Sequence, residues 1–144
     1  MSFWRIALHL AVWLGVFIFW LVATRQYHPT LTVAVSATSV LVSASALAVY
    51  VNGLFLLPGF ARRRLWWQYM ASLLATIIVL DLTAVGLIQF IYDWLWRPDP
   101  LRFGFWFNVL SDGIIIVAHV VAAMVVMWVV RLFHRSSPSQ RSAS

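Results

Sequence analysis

Four long apolar stretches dominate this chain, and the connections between them are too short to hold a further domain. A helix rises about 1.5 Å per residue and bilayer hydrocarbon is about 30 Å thick, so roughly 20 apolar residues cross it. The stretches run from about Trp4 to Thr24, Leu31 to Leu57, Leu65 to Tyr92 and Phe105 to Phe133. With 63% hydrophobic and 10% charged residues, a soluble core of 144 residues would lack a polar shell. The sequence predicts an all-α membrane protein with one four-helix transmembrane domain, residues 1–135. Residues 136–144, the end of the low-complexity RSSPSQRSAS, read as a disordered polar tail. The first stretch is too long and Trp-rich for a cleaved signal peptide, and no small-residue cleavage site follows it.

The connections Arg25 to Thr30, Pro58 to Arg64 and Asp93 to Gly104 make sequential helices antiparallel neighbours, which predicts an up-down-up-down bundle. The net charge of +6 comes from ten Arg against four Asp, with no Lys and no Glu. Arg5, Arg62, Arg63, Arg64, Arg131, Arg135 and Arg141 fall on one side, and Arg25, Arg97 and Arg102 on the other. That bias predicts cytoplasmic termini in a bacterial inner membrane. Arginines placed between apolar spans point to the bilayer and its anionic headgroups as partners, and not to nucleic acid, for which no basic amphipathic element is present. The absence of cysteine excludes disulfides, thiolate metal sites and cysteine nucleophiles.

The stretch YVNGLFLLPGFARRRLWW, Tyr50 to Trp67, reads as a membrane hairpin. An apolar helix is expected to break at Pro58-Gly59, Arg62, Arg63 and Arg64 to grip headgroup phosphate, and Trp66, Trp67 and Tyr69 to start the return helix at the interface. The elements Tyr50-x-Asn52, Leu56 or Leu57, Pro58-x-Phe60, the Arg triplet and Tyr69 resemble the second-to-third helix hairpin in the membrane module of LytS/YehU-type bacterial sensor histidine kinases. The opening FWRIALHLAVWLGVFIFW, with His9-x-x-x-Trp13, is similar to that module's first helix. The family continues into a coiled helix, a phosphoacceptor histidine segment and an ATP-binding domain, and none of these patterns follows Phe133. The resemblance therefore implies a sensor-type membrane module, or a scaffold descended from one, without kinase activity.

Polar residues inside a span are costly in hydrocarbon and so are buried against protein or functional. Asp81 lies within the third span and His119 within the fourth, within reach of each other if those helices pack face to face. Asn108, Asp112 and His119 project on nearly one side of the fourth span, and Asp81 and Tyr92 share a side of the third. The prediction is a polar seam between the third and fourth helices: Asp81, Tyr92, Asn108, Asp112 and His119. Two readings stand, interhelical hydrogen bonding that fixes the bundle and a proton or small-ligand site. His9 and His119 lie at different depths, which disfavours a haem between them, and no cofactor or metal is expected.

In the second span Ser39-x-x-x-Ser43 and Ala44-x-x-x-Ala48 let backbones approach closely, inside the bundle or against a second copy or another membrane protein. The loop DWLWRPDPLRFGFWF carries Asp93, Asp99, Arg97 and Arg102 with Pro98 and Pro100, and reads as an aromatic interface anchor or a ligand-reading surface. Two function classes follow. The first is a non-catalytic sensor-type or partner module that works by helix packing and binding. The second is a small transport or proton-handling protein using Asp81 and His119. No Ser-His-Asp order or paired catalytic carboxylates favour an enzyme.

Overall fold

The computed structural model describes residues 3–60, 64–95 and 104–135. Helix α1 (Phe3–Thr24) ends in a single 3-10 turn, Arg25–Tyr27, and α2 (Leu31–Val51) runs through a π-helical turn, Asn52–Leu56, into the short α3 (Leu57–Phe60). Helix α4 spans Trp66–Leu95 and α5 spans Phe105–Arg135, and no strand occurs among the described residues. Four helical segments, Phe3–Tyr27, Leu31–Phe60, Trp66–Trp94 and Phe105–Phe133, are long and apolar enough to cross a bilayer. Hydrocarbon offers no partner to an unpaired amide, so apolar segments of this length close all their backbone bonds as helices. The chain is an integral, multi-pass membrane protein.

The ends of these helices have local causes. A residue before proline is driven out of the helical region, and His28, which precedes Pro29, is extended at φ −115°, ψ 136°. Thr30 then caps α2, its hydroxyl accepting from the Val33 N–H at 3.3 Å. Helix α5 starts at Gly104, whose carbonyl accepts from the Phe107 and Asn108 amides at 3.0 and 3.2 Å.

The expected break at Pro58-Gly59 does not occur: the chain stays helical to Phe60. In regular α geometry a proline ring clashes with the carbonyl four residues back. Here the turn ahead of Pro58 is π, with the Leu57 N–H bonded to Asn52 O five residues earlier, and the wider turn carries the helix past the proline. Closure comes later. Arg64 takes a left-handed backbone, φ 58°, and the Leu65 N–H reaches back to Phe60 O at 3.1 Å, the six-to-one bond that ends many helices. Arg62 and Arg63, the other members of the expected headgroup clamp, lie outside the described residues, as do 96–103 of the aromatic loop and the tail 136–144.

Helix α2 is the centre of the packing and touches α1, α4 and α5. Its inward face is built of small side chains, Ala34, Ala37, Ala44, Ser45 and Ala48, all buried. Lipid tails are as apolar as leucine, so helices associate in a bilayer by close packing, and small residues permit it. The core joins Leu41, Ala44 and Ala48 of α2 to Ile77 and Ala84 of α4 and Ile116 and Val120 of α5. The Ala44–Ala48 pair thus packs inside the bundle, while Ser39 and Ser43 are exposed. Helix α1 contributes no buried residue and lies along α2 from outside.

Left-handed backbone costs a non-glycine residue about 1–2 kcal/mol, partly offset on substitution by the greater freedom of an unfolded glycine. Arg64→Gly is therefore expected to raise stability by less than about 1 kcal/mol, read as the unfolding midpoint in detergent. A loss of stability would show that the Arg64 side chain, not the backbone, holds this corner.

Candidate functional site

Three of the residues that carry the hairpin pattern, Tyr50, Asn52 and Tyr69, make specific side-chain bonds beside the π turn. The Trp13 indole N–H donates to the Tyr50 hydroxyl at 3.0 Å, and the same hydroxyl lies 3.2 Å from His9 Nδ1. The Tyr69 hydroxyl donates to Asn52 Oδ1 at 2.9 Å, with Asn52 1% and Tyr69 2% exposed. Tyr50 thus ties the start of α1 to the end of α2, and Asn52 ties the end of α2 to the start of α4. Asn52 opens the π turn, so the unusual backbone and the buried amide belong to one feature.

A second cluster joins α1 to α5. Trp20 donates its indole N–H to His119 Nε2 at 3.3 Å, and the Trp13 ring stacks on His119 at 6.3 Å between centroids. His119 Nδ1 lies 2.8 Å from the Ile115 carbonyl, so Nδ1 carries the proton and Nε2 accepts. Both nitrogens of a neutral imidazole are then satisfied. Below the ring an open groove of about 540 Å³ runs between α1 and α5, lined by Gly15, Val16, Phe19, Ala118 and Ala122.

The third feature is an unsatisfied carboxyl. Asp81 is 4% exposed, and its Oδ1 finds no hydrogen-bond partner among the described residues. Its Oδ2 presses on α5 at Gly113, where a β-carbon would come within 3.1 Å. Asp112, the residue before that glycine, acts on Asp81 electrostatically, and Asp112 receives the Ser111 hydroxyl at 3.5 Å. On α2 the buried polar residues Thr38, Ser45 and Asn52 recur every seven positions, so the face turned to α4 and α5 carries a polar stripe of its own.

At the junction after α1, His28 Nδ1 and the Tyr92 hydroxyl share a short hydrogen bond, and Arg25 donates to the His28 carbonyl at 2.9 Å. Burial, and then the Arg25 guanidinium, hold the His28 imidazole below its ordinary pKa of 6.5.

The expected seam is therefore divided. Asp81 of α4 abuts Gly113, next to Asp112, on α5, but His119 turns toward α1 and Tyr92 toward His28. No Asp81–His119 hydrogen bond forms, since the imidazole is committed to Trp20 and Ile115. Asn108 stands in the first turn of α5, its carbonyl accepting from the Ser111 hydroxyl at 3.0 Å. Sequence reasoning missed the polar stripe of Thr38 and Ser45, although their seven-residue spacing with Asn52 was readable. It had no means of pairing Trp20 with His119. Comparison with protein-family models, with curated proteins and with solved structures finds no match to this chain.

Two outcomes are expected. Gly113→Ala forces a methyl onto the buried Asp81 carboxyl, so it should cost about 1–2 kcal/mol despite alanine's better helix propensity. In an Asp81→Ala background the cost should vanish, and a double-mutant cycle in detergent unfolding measures that coupling. For His28 the folded pKa is depressed, so its contribution is complete above about 6.5 and is lost as pH falls through the lower folded value. The wild-type unfolding midpoint should fall across that window more steeply than that of His28→Gln.

Proposed function

We propose that the chain is a non-catalytic, sensor-type membrane module whose output is the relative packing of its helices. The observation that carries this reading is the two side-chain ties beside the π turn. His9, Trp13, Tyr50, Asn52 and Tyr69, which carry the resemblance to sensor histidine kinase membrane modules, bond α1 to α2 and α2 to α4. A module that transmits a signal needs helices joined by a few specific bonds and free to shift elsewhere. Helix α1, with no buried residue, is held to the bundle by such bonds and by one side of α2. π turns cluster at sites where function outweighs regular geometry.

In this reading the helices run up, down, up and down in a bacterial inner membrane. Both termini and the Arg62–Arg64 corner face the cytoplasm, following the arginine bias, and those arginines contact anionic headgroups. Signal output passes to a second copy or to another membrane protein through the exposed apolar surface of α1 and the outward serines of α2. The alternative, a proton-handling or transport protein, draws on Asp81, since intramembrane carboxyls are functional by default.

Proton and solute flux in proteoliposomes separates the two. The module should give no flux above that of empty vesicles. Flux that disappears in Asp81→Asn would replace the module reading with transport. Because the chain lacks cysteine, single engineered pairs also report packing without background. Spin labels at positions 10 and 74 should give a broader α1–α4 distance distribution in Tyr50→Phe than in wild type, and an unchanged distribution would remove the role given to the Tyr50 tie.

A further inference from the structure

The geometry points to a proton-binding site: we propose that Asp81 and Asp112 form a carboxyl pair between α4 and α5 that holds one exchangeable proton. Asp81 lies midway along α4, about 20 Å of helix from either end, within a segment long and apolar enough to cross a bilayer. It is 4% exposed, one oxygen is unpartnered among the described residues, and the other abuts Gly113 of α5. The absent side chain at Gly113 lets this approach happen and places the Asp81 carboxyl beside the residue that bears the second one. Two carboxylates borne on neighbouring positions of packed helices in a low-dielectric site do not both stay ionised, and one proton shared between them leaves a single negative charge on the pair. The orphaned oxygen, which has no partner among the described residues, marks this carboxyl as one that a proton would suit.

A proton suits this pair better than a metal ion. Hard cations take six or more oxygen ligands, and the described residues contain no group of three or more acidic, histidine or cysteine side chains that could hold one. Asp112 is only half-buried, with the Ser111 hydroxyl at 3.5 Å, and lies seven residues, about 10 Å, from the start of α5, so exchange reaches Asp81 from that end of the bundle through it. The other titratable side chains on the packed helices are engaged or distant. Tyr50 of α2 is bonded to His9 and Trp13, Tyr69 to Asn52 and Tyr92 to His28, while His119 is bonded to Trp20 and Ile115. Asp93 stands in the last turn of α4, and Arg131 in the final turns of α5, far from Gly113. The pair therefore titrates as a unit that no other titratable side chain among the described residues relieves.

The test is infrared difference spectroscopy on the full chain in phosphatidylcholine vesicles, stepped between mildly acidic and alkaline buffer. With four aspartates and no glutamate, carboxyl bands are few. The proposal expects a protonated-carboxyl stretch that shifts in heavy water, is lost in Asp81→Asn and in Asp112→Asn, and survives in Asp93→Asn. Absence of such a band in the wild type, or its survival in both pair variants, overturns the site. Should a pair variant fail to fold, solid-state NMR of wild-type protein labelled with carbon-13 at the aspartate carboxyls decides. Two carboxyl carbons in through-space contact, one of them protonated, support the pair, and isolated ionised carboxyls overturn it. The site goes beyond the module reading and fails separately from it: vesicle flux judges the module, and the carboxyl band judges the pair.

Discussion

The fold depends on close approach to one helix. In a bilayer no hydrophobic force draws apolar helices together, so association rests on contact area and on the few polar groups that find partners. Helix α2 supplies both. Its Ala34, Ala37, Ala44 and Ala48 let α4 and α5 come near, and Asn52 and Tyr50 at its end take the bonds that hold α4 and α1. The helices that surround it present Ile77, Val85, Ile116 and Val120 inward and leave bulky residues such as Leu74, Phe90, Val126 and Trp128 facing outward. What would be an aggregating surface in water is the lipid-facing surface here.

Polar groups in this bundle are handled in three ways, and the differences bear on function. His119 and Asn52 are satisfied by side chains or carbonyls from within the bundle, so they act as fasteners. His28 and Tyr92 meet where the chain turns between spans, beside Arg25, and there protonation can be felt from the aqueous phase. Asp81 is left with an oxygen unbonded among the described residues, an arrangement whose cost of several kcal/mol in hydrocarbon makes it the least structural of the three.

The positions of the four spans were legible because apolar length maps directly onto bilayer thickness, and each helix falls within a few residues of its expected bounds. The end of the second span was not. Pro58-Gly59 is a strong local breaker, but the π turn just ahead of it, Asn52–Leu56, absorbs the proline, and the real stop lies at Arg64 with its left-handed backbone. Nothing in the residue types near Asn52 announces a π turn. It arises with the buried Asn52–Tyr69 hydrogen bond, which involves two helices at once.

The candidate site divides in the same way. Helical spacing alone put Asp112 and His119 on nearly one side of a helix, but seven residues also set them about 10 Å apart along its axis, where different neighbours can pass. Which neighbour each meets is set by where α1 lies, and Trp13 and Trp20 claim His119 for that side. The sequence by itself determined that this chain lives in a membrane, how many times it can cross and which side chains are costly there. Those follow from composition and length, which act residue by residue. Only the tertiary structure decided that Asp81 meets Gly113 beside Asp112, that Ala44 and Ala48 face inward while Ser39 and Ser43 do not, and that Tyr50 bonds to α1 while Asn52 bonds to Tyr69 of α4. Those are pairings between helices, and pairing is a property of how surfaces fit, not of any one segment.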